Sequence, residues 1–266
     1  MINNRIDSGK PFDWGRTSDD YAKYRDIYPK VFYDRIIELG LCKNGTSVLD
    51  IGTGTGVLPR ALYGTGAHFT GVDISENQIA QAKRLAAENG MDIDFVCSGA
   101  EDIPFADNSF DSALACQCFW YFDHKRLAEK LYSVLKSGGR FAVLSMEWLP
   151  FEDKTAAATE ELVLKYNPDW SGKDEVVHKT EIPDAYLPHF KVESAETFLL
   201  DVPFTRESWN GRIKACRGIG ASLPPEKIAE FEKEHLELLS RIVPESFTIK
   251  HFAAITVIKS RKQENI

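Results

Sequence analysis

The stretch VLDIGTGTGVLPRAL, residues 48–62, is an apolar strand that runs into a loop with three glycines and then into a helix. Glycines let the backbone turn sharply and let a ligand approach it closely. The same rhythm continues downstream. HFTGVDIS (68–75) reads as a second strand ending in an acid. Ser75 is placed to cap a helix from Glu76 to Asn89, with Ile79, Ala82 and Ala86 as its buried stripe and Gly90 as its stop. IDFVCSGA (93–100) and FDSALACQCF (110–119) read as the third and fourth strands. Asp123 is placed to cap a helix through Leu135 that SGG (137–139) terminates, and RFAVLSME (140–147) reads as the fifth strand. Strands alternating with helices over short connections predict an α/β fold with a parallel sheet and helices on both faces. Ligands of such sheets sit beyond the C-terminal strand ends at the switch point, where the glycine loop lies.

The rest of the chain is less regular. Before the loop, Pro29 starts a helix whose Val31, Phe32, Ile36, Ile37 and Leu39 follow helical spacing. From about 149 to 190 the rhythm breaks, and polar, Pro-containing segments surround the helix-like TAAATEELVLK. A strand over 191–204, a helix through RESWNGRIKACRGIG ending at Gly218 or Gly220, an amphipathic helix over 224–242 and a last strand over 247–260 follow. The expected organisation is one domain over 1–266. Its core covers about 30–147 and 190–260, an insertion or lid about 149–190, and lid helices about 205–242.

Charge and composition narrow the partners. A net charge of −8 over 266 residues speaks against a basic nucleic-acid face. The N-terminus has no apolar signal-peptide region and no apolar run reaches bilayer length, so the expectation is a soluble cytoplasmic protein with no membrane partner. Five cysteines at irregular spacing predict reduced thiols rather than a disulfide framework, and no His cluster at ligand spacing suggests a metal. Oligomeric state is not readable.

Which ligand the loop serves depends on its spacing. The dinucleotide fingerprint G-x-G-x-x-G/A takes Gly52 and Gly54 but puts Val57 in the third place, one residue past Gly56. The pattern present is D-x-G-x-G-x-G, with Asp50 two residues before the first glycine. An acid at the end of an apolar strand is costly without a partner. A cationic or hydrogen-bond-donating ligand would supply one, a phosphate would repel it, and backbone N–H groups of a turn are the alternative. Twenty-one residues beyond Gly52 lies Asp73, where a carboxylate can accept both hydroxyls of a ribose, or cap a helix.

VLDIGTGTG, GVDIS, CSGAEDIPFADNSFDSALA and LYSVLKSGGRFAVL, in this order, resemble the class I S-adenosylmethionine-dependent methyltransferases. The likeness is to small-molecule enzymes of the ubiquinone/menaquinone and trans-aconitate type, and it covers about residues 20–147. It implies a Rossmann-like sheet of seven strands, six parallel and one antiparallel near the C-terminus. It also implies S-adenosylmethionine as cofactor, S-adenosylhomocysteine as product and a small-molecule acceptor. Carried to matching positions, Gly52, Thr53, Gly54 and Gly56 would line the methionine part and Asp50 would sit near its ammonium. Asp73 would hold the ribose, Ile74 would pack on the adenine and Ala100 would offer it a backbone N–H. Relatives often have Asp before that Ala. This chain has Gly99, so Glu101 or Asp102 would substitute. Arg25 matches an Arg that pairs with the cofactor carboxylate, with Tyr21 and Tyr24 closing around it, and Gln117 matches a position facing the cofactor. Where trans-aconitate relatives read A-Q-x-x-H-W-F-D, this chain has Trp120 and Tyr121 in place of His–Trp.

The chemistry needs little from side chains. Methyl transfer from a sulfonium is an in-line displacement, helped mainly by holding the nucleophile on axis. Aromatic faces tolerate the sulfonium charge, and Phe119, Trp120, Tyr121 and Phe122 offer such a wall, of which two are expected in the core. Trp120, Tyr121 and His124 are the candidates for a catalytic part, the last two as a base if the acceptor is protonated. Trp120, Trp209 and Arg212 are candidates for the acceptor site. Trp209, Arg212 and Cys216 share a helical face, and Arg212, or Arg217, could read a carboxylate. Three rivals stay open: an NAD-binding oxidoreductase, a protein that binds S-adenosylmethionine without turnover, and a methyltransferase acting on RNA or protein.

Overall fold

A computed structural model describes residues 6–24 and 26–263, without the side chains of 18, 19 and 21. Its helices and strands in chain order are α1 (Ser18–Tyr24), α2 (Lys30–Glu38), β1 (Ser47–Ile51), α3 (Val57–Leu62), β2 (His68–Asp73), α4 (Glu76–Glu88), β3 (Asp94–Cys97), β4 (Phe110–Cys116), α5 (His124–Val134), β5 (Leu135–Trp148), α6 (Lys154–Tyr166), β6 (Phe190–Thr205), α7 (Arg206–Lys214), α8 (Pro225–Ile242) and β7 (Ser246–Ser260). The sheet runs β3-β2-β1-β4-β5-β7-β6. The five strands from β3 to β5 are parallel. β7 is antiparallel to both neighbours. The Arg261 N–H donates to His189 at one end of β6 and the Arg206 N–H to Glu245 at the other, while the Leu149 N–H donates to Lys250. The order reverses between β1 and β4, so the switch point lies at their C-terminal ends.

The chain divides into two compact units. The sheet unit covers Tyr28–Met146, His178–Phe198 and Ala253–Ile266. Its core joins Leu49 and Ile51 of β1 with Leu127 and Leu131 of α5, Phe141 of β5, and Tyr186 and Phe190 before and on β6. Val48, Leu49 and Ile51 are fully buried, each worth about 1.5–3 kcal/mol relative to exposure. Ser75 caps α4 by accepting the Gln78 N–H, and the Asp123 carboxylate caps α5 by accepting those of Lys125 and Arg126. Both caps are as the sequence predicts. One punctuation mark is not. SGG (137–139) does not stop a helix: α5 ends at Val134 and β5 starts at Leu135, so the glycines lie inside the strand. There the pairing with β4 shifts register between Phe110 and Ser112, and Gly138 takes the left-handed φ of +65° that a bulge requires.

The second, helical unit takes the chain up to Ile27, with Glu147–Val177 and Leu199–Phe252. The N-terminal segment and the outer parts of β6 and β7 thus group with the insertion, where the sequence places the strands wholly in the core and ends the insertion near 190. Inside this unit α1 and α8 pack on α7, and α6 packs on α8. Asp153 caps α6, and Thr205 and Ser208 form a capping box on α7. α7 stops at Lys214 rather than at Gly218 or Gly220. Asp7 is buried with Arg217, Nη1 to Oδ1 at 2.6 Å, which ties residues around Asp7 to the segment after α7.

Among the described residues no helix is long and apolar enough to cross a membrane.

Candidate active site

β1 delivers a buried acid and then a loop only glycine can form. Gly52, Gly54 and Gly56 have φ of +66°, +55° and +75°. In that region an L-residue pays about 1–2 kcal/mol. At Gly52 a Cβ would also meet Cys118 Sγ at 2.7 Å and Cβ at 2.9 Å. The backbone at Gly52 therefore lies directly against the segment after β4. The Cys118 thiol donates to the Ile51 carbonyl at 3.1 Å, and burial raises its pKa well above the ordinary range, so it stays a thiol.

Two carboxylates flank the loop. Asp50 is buried, and its Oδ2 accepts the Thr53 hydroxyl at 2.6 Å. Burial pushes its pKa up to about 7, against the Thr53 bond and with the help of the Asp73 charge. Asp73, at the end of β2, accepts the Gly54 N–H on Oδ2 and the Ser75 N–H on Oδ1, both at 2.9 Å. Burial raises its pKa too, opposed by these backbone donors. Each Asp73 oxygen keeps a lone pair for a further donor. The carboxylate holds the glycine loop and starts α4 as well as closing the end of β2. Ile74 beside it is 64% exposed, an apolar surface open to a flat ligand.

The other expected residues gather at the neighbouring strand ends. Ala100 is buried in the turn after β3. Glu101 Oε1 accepts the Asp123 N–H at 2.8 Å, so one of its oxygens is committed to the segment after β4. Asp102 pairs with Arg126 at the surface. Gln117, just past β4, has a left-handed φ of +62°, rare for a residue with a Cβ; its N–H donates to Leu144 and its side-chain amide to the Met146 carbonyl. Backbone strain of this kind concentrates at functional sites.

The aromatic run divides as a strand end should. Phe119 is buried against Phe141 and Tyr186, and Phe122 packs on the same core. Trp120 is 40% exposed with Tyr121 beside it, their ring centroids 5.9 Å apart. His124 opens α5. Its ring lies 4.6 Å from Phe119, and its Nδ1 is 3.3 Å from the Tyr186 hydroxyl. Sequence reasoning missed Tyr186, which lies 62 residues away in a segment without periodicity.

Three expectations are corrected or fall elsewhere. Arg25 lies outside the described residues, as does the Tyr21 side chain. Tyr24 belongs to the helical unit, where its ring fills the space beside Gly211 and its hydroxyl bonds Glu207. Trp209 and Arg212 do not form an open face on α7. Trp209 is fully buried, donates its indole N–H to Thr159 at 3.0 Å and packs on Phe204 and Trp148. Arg212 is buried with its guanidinium over the Trp148 ring and Nη1 on Cys216 Sγ. Both are core residues of the helical unit, because Trp148 at the end of β5 and Thr159 on α6 cover that face.

Known proteins resemble the chain in the same region. Residues 49–143 match the model of a methyltransferase domain family. A demethylmenaquinone methyltransferase of Thermus thermophilus is 35% identical over 113 residues, 41% of this chain and 51% of that protein. A sterol methyltransferase-like protein of Botryococcus braunii is 30% identical over 223 residues, 75% of this chain and 56% of that one. The chain thus spans about half the length of these curated relatives. Among solved structures, a protein of Anaeromyxobacter dehalogenans with a proposed type II methyltransferase assignment superposes with a TM-score of 0.58 at 21% identity, covering 88% of this chain and 96% of that one. The [4+2]-cyclase SpnF superposes with a TM-score of 0.55 at 17% identity over 94% and 96%. At such identities the structural likeness speaks for the fold. Residues 49–143 thus match a methyltransferase domain, and over that region the chain is similar to methyltransferases that act on a quinone and on sterols by name.

Proposed function

We propose that the protein transfers a methyl group from S-adenosylmethionine to a small-molecule acceptor. The observation that carries this is the pair of strand-end carboxylates flanking a left-handed glycine loop. Asp50 is an acid that burial drives toward neutrality, at about 7, so a cationic group beside it would restore its charge. An ammonium fits that requirement and a pyrophosphate does not. Asp73 has the lone pairs to take ribose hydroxyls while the Gly54 and Ser75 N–H groups hold it in place. Ile74 and Ala100 offer an apolar seat for the adenine. This donor set fits S-adenosylmethionine better than a dinucleotide, whose fingerprint Val57 already breaks.

When bound, that cofactor supplies an electrophilic methyl group on a sulfonium. The chain's own part is to hold and exclude. The loop and Asp73 fix the cofactor's ends, the strained Gln117 and the exposed Trp120 and Tyr121 line the acceptor side, and the aromatic faces keep water from the sulfonium. The relatives' names point to a quinone and to sterols, so an apolar ring acceptor is the class to try first. The fold is shared with a cyclase, so binding alone does not establish transfer. The test is methyl transfer from labelled S-adenosylmethionine to a panel of quinols, sterols and phenols. Labelled product with any of them supports the reading; cofactor binding with no labelled product from the panel favours a binding protein without turnover.

A further inference from the structure

We propose that the end of the sheet opposite the glycine loop carries a second binding site, a cationic cavity that takes a phosphate dianion, free or as the head of a small polar phosphate ester. The methyl-transfer chemistry does not use this end of the sheet.

The cavity measures about 670 Å³ and is lined by Asn108, Tyr132, Ser137, Arg261, Lys262 and Gln263. All six belong to the sheet unit. Asn108 lies just before β4, Ser137 near the start of β5 and residues 261–263 just after β7. β7 runs against its neighbours, so these are the N-terminal ends of the parallel strands. Gly52 and Asp73 stand at the C-terminal ends.

The charges at the cavity are positive and uncancelled. Among the described residues no carboxylate lies within ion-pair distance of Arg261 or Lys262. That is notable in a chain with 40 acids against 32 Lys and Arg, and the nearby Lys136 has its own partner in Asp111. Lys262 Nζ donates instead to three neutral oxygens, Asn108 Oδ1 at 2.8 Å and the Ser133 and Leu135 carbonyls at 2.8 and 2.7 Å. Arg261 donates its Nε–H to the Phe190 carbonyl at 2.9 Å and its backbone N–H to His189 at 2.8 Å. Neutral acceptors hold both cations in place without cancelling them, which spares a ligand part of the ordering cost. Burial lowers the Lys262 pKa, against the attraction of Asp107, and a dianion in the cavity would raise it.

Donors remain for such a ligand. The Nη1 and Nη2 groups of Arg261 form a planar fork that matches phosphate oxygens. Asn108 turns Oδ1 to the ammonium, which leaves its NH2 group to donate. The Tyr132 hydroxyl and the Gln263 amide add two more at the wall. Two uncancelled cations call for two negative charges, which a phosphate has and a single carboxylate lacks. The Tyr132 ring is already engaged, with Lys262 Nζ 5.2 Å from its centroid and the His189 ring at 4.6 Å. The organic part of an ester therefore meets polar groups rather than an open aromatic face. A ligand here and one at the glycine loop occupy opposite ends of the sheet and do not compete.

Calorimetric titration of the full chain with inorganic phosphate and with glycerol 3-phosphate, at fixed ionic strength, tests the site, with acetate and glycerol as controls. The expected result is saturable binding of at least one phosphate compound at one site per chain, the tighter of the two naming the source. Arg261→Gln, at an exposed position, should weaken that binding about tenfold or more while leaving S-adenosylhomocysteine affinity unchanged, and Arg261→Lys should restore part of it. No saturable binding of either compound up to about 10 mM would overturn the proposal. So would acetate binding as tight as phosphate, undiminished binding in folded Arg261→Gln, or displacement of phosphate by S-adenosylhomocysteine. Failure to bind S-adenosylhomocysteine would strike the methyl-transfer reading and leave this site standing.

Discussion

Replacing Asp50 by Asn should change how stability depends on pH, and in a direction opposite to that of most surface carboxylates. Asp50 is buried, and its pKa rises from 3.8 to about 7. The folded state therefore keeps a proton that the unfolded chain releases above about pH 4. By linkage, Asp50 makes the protein less stable as pH rises from about 4 to 7, and the loss stays in place above that. At about 1.36 kcal/mol per unit, the shift is worth on the order of 4 kcal/mol, an upper bound because the site relaxes around a buried charge. Half of that, about 2 kcal/mol, corresponds to roughly 4–8 °C in melting temperature for a domain of this size. Asn carries no titrating proton. The difference in melting temperature, Asp50→Asn minus wild type, should therefore grow by several degrees between pH 5 and pH 8. The comparison of slopes cancels the fixed effect of adding an amide N–H that must find its own partner. Calorimetric melts of the ligand-free proteins in matched buffers measure it. A difference that is flat with pH, or that shrinks, would refute the reasoning that Asp50 is desolvated and uncompensated until a cation arrives.

Other substitutions test separate parts of the account. Gly52→Ala should abolish measurable S-adenosylhomocysteine binding, because the new Cβ meets Cys118 in a backbone of left-handed φ; Cys118→Gly should restore part of it, and a fully active Gly52→Ala would show that the loop is not built as described. Thr55→Val should leave the protein as stable or raise its stability by about 1 kcal/mol in denaturant titration, since the buried Thr55 hydroxyl has no partner among the described residues; a loss above that size would reveal one. Asp7→Ala leaves the Arg217 guanidinium without its buried carboxylate and should cost about 3–5 kcal/mol, read as protease cleavage in the segment that follows Asp7; unchanged protection there would contradict that anchoring. His235 and His251, with pKa values lowered by burial to about 3 and about 4, should stay neutral at pH 5 by ring NMR, so the folded state resists their protonation while the unfolded chain takes it up below about 6.5 and stability falls there.

The parts of this fold that obey local rules were readable, and the parts set by distant contacts were not. Ser75 and Asp123 cap their helices because a short polar side chain before an apolar-periodic segment has a single job to do. The glycine loop and the two carboxylates were readable because their spacing is fixed by one strand end and its neighbour. SGG deceived because three residues that commonly end a helix also form a bulge, and only pairing with β4 decides between them. Trp209 and Arg212 share a helical face, but whether that face is open depends on Trp148 at the end of β5 and Thr159 on α6, both far from it in sequence. Tyr186 was invisible for the same reason. Its partner His124 is far along the chain, and the turn that carries it has no pattern of its own.

The central claim is that the loop takes S-adenosylmethionine by its ammonium and ribose, with no role for a phosphate. Calorimetric titration with S-adenosylhomocysteine, with NAD as control and Asp73→Ala alongside, addresses it directly. The account predicts binding of S-adenosylhomocysteine, none of NAD, and loss of the former in Asp73→Ala. Binding of NAD, or S-adenosylhomocysteine binding that survives the loss of the Asp73 carboxylate, would contradict it.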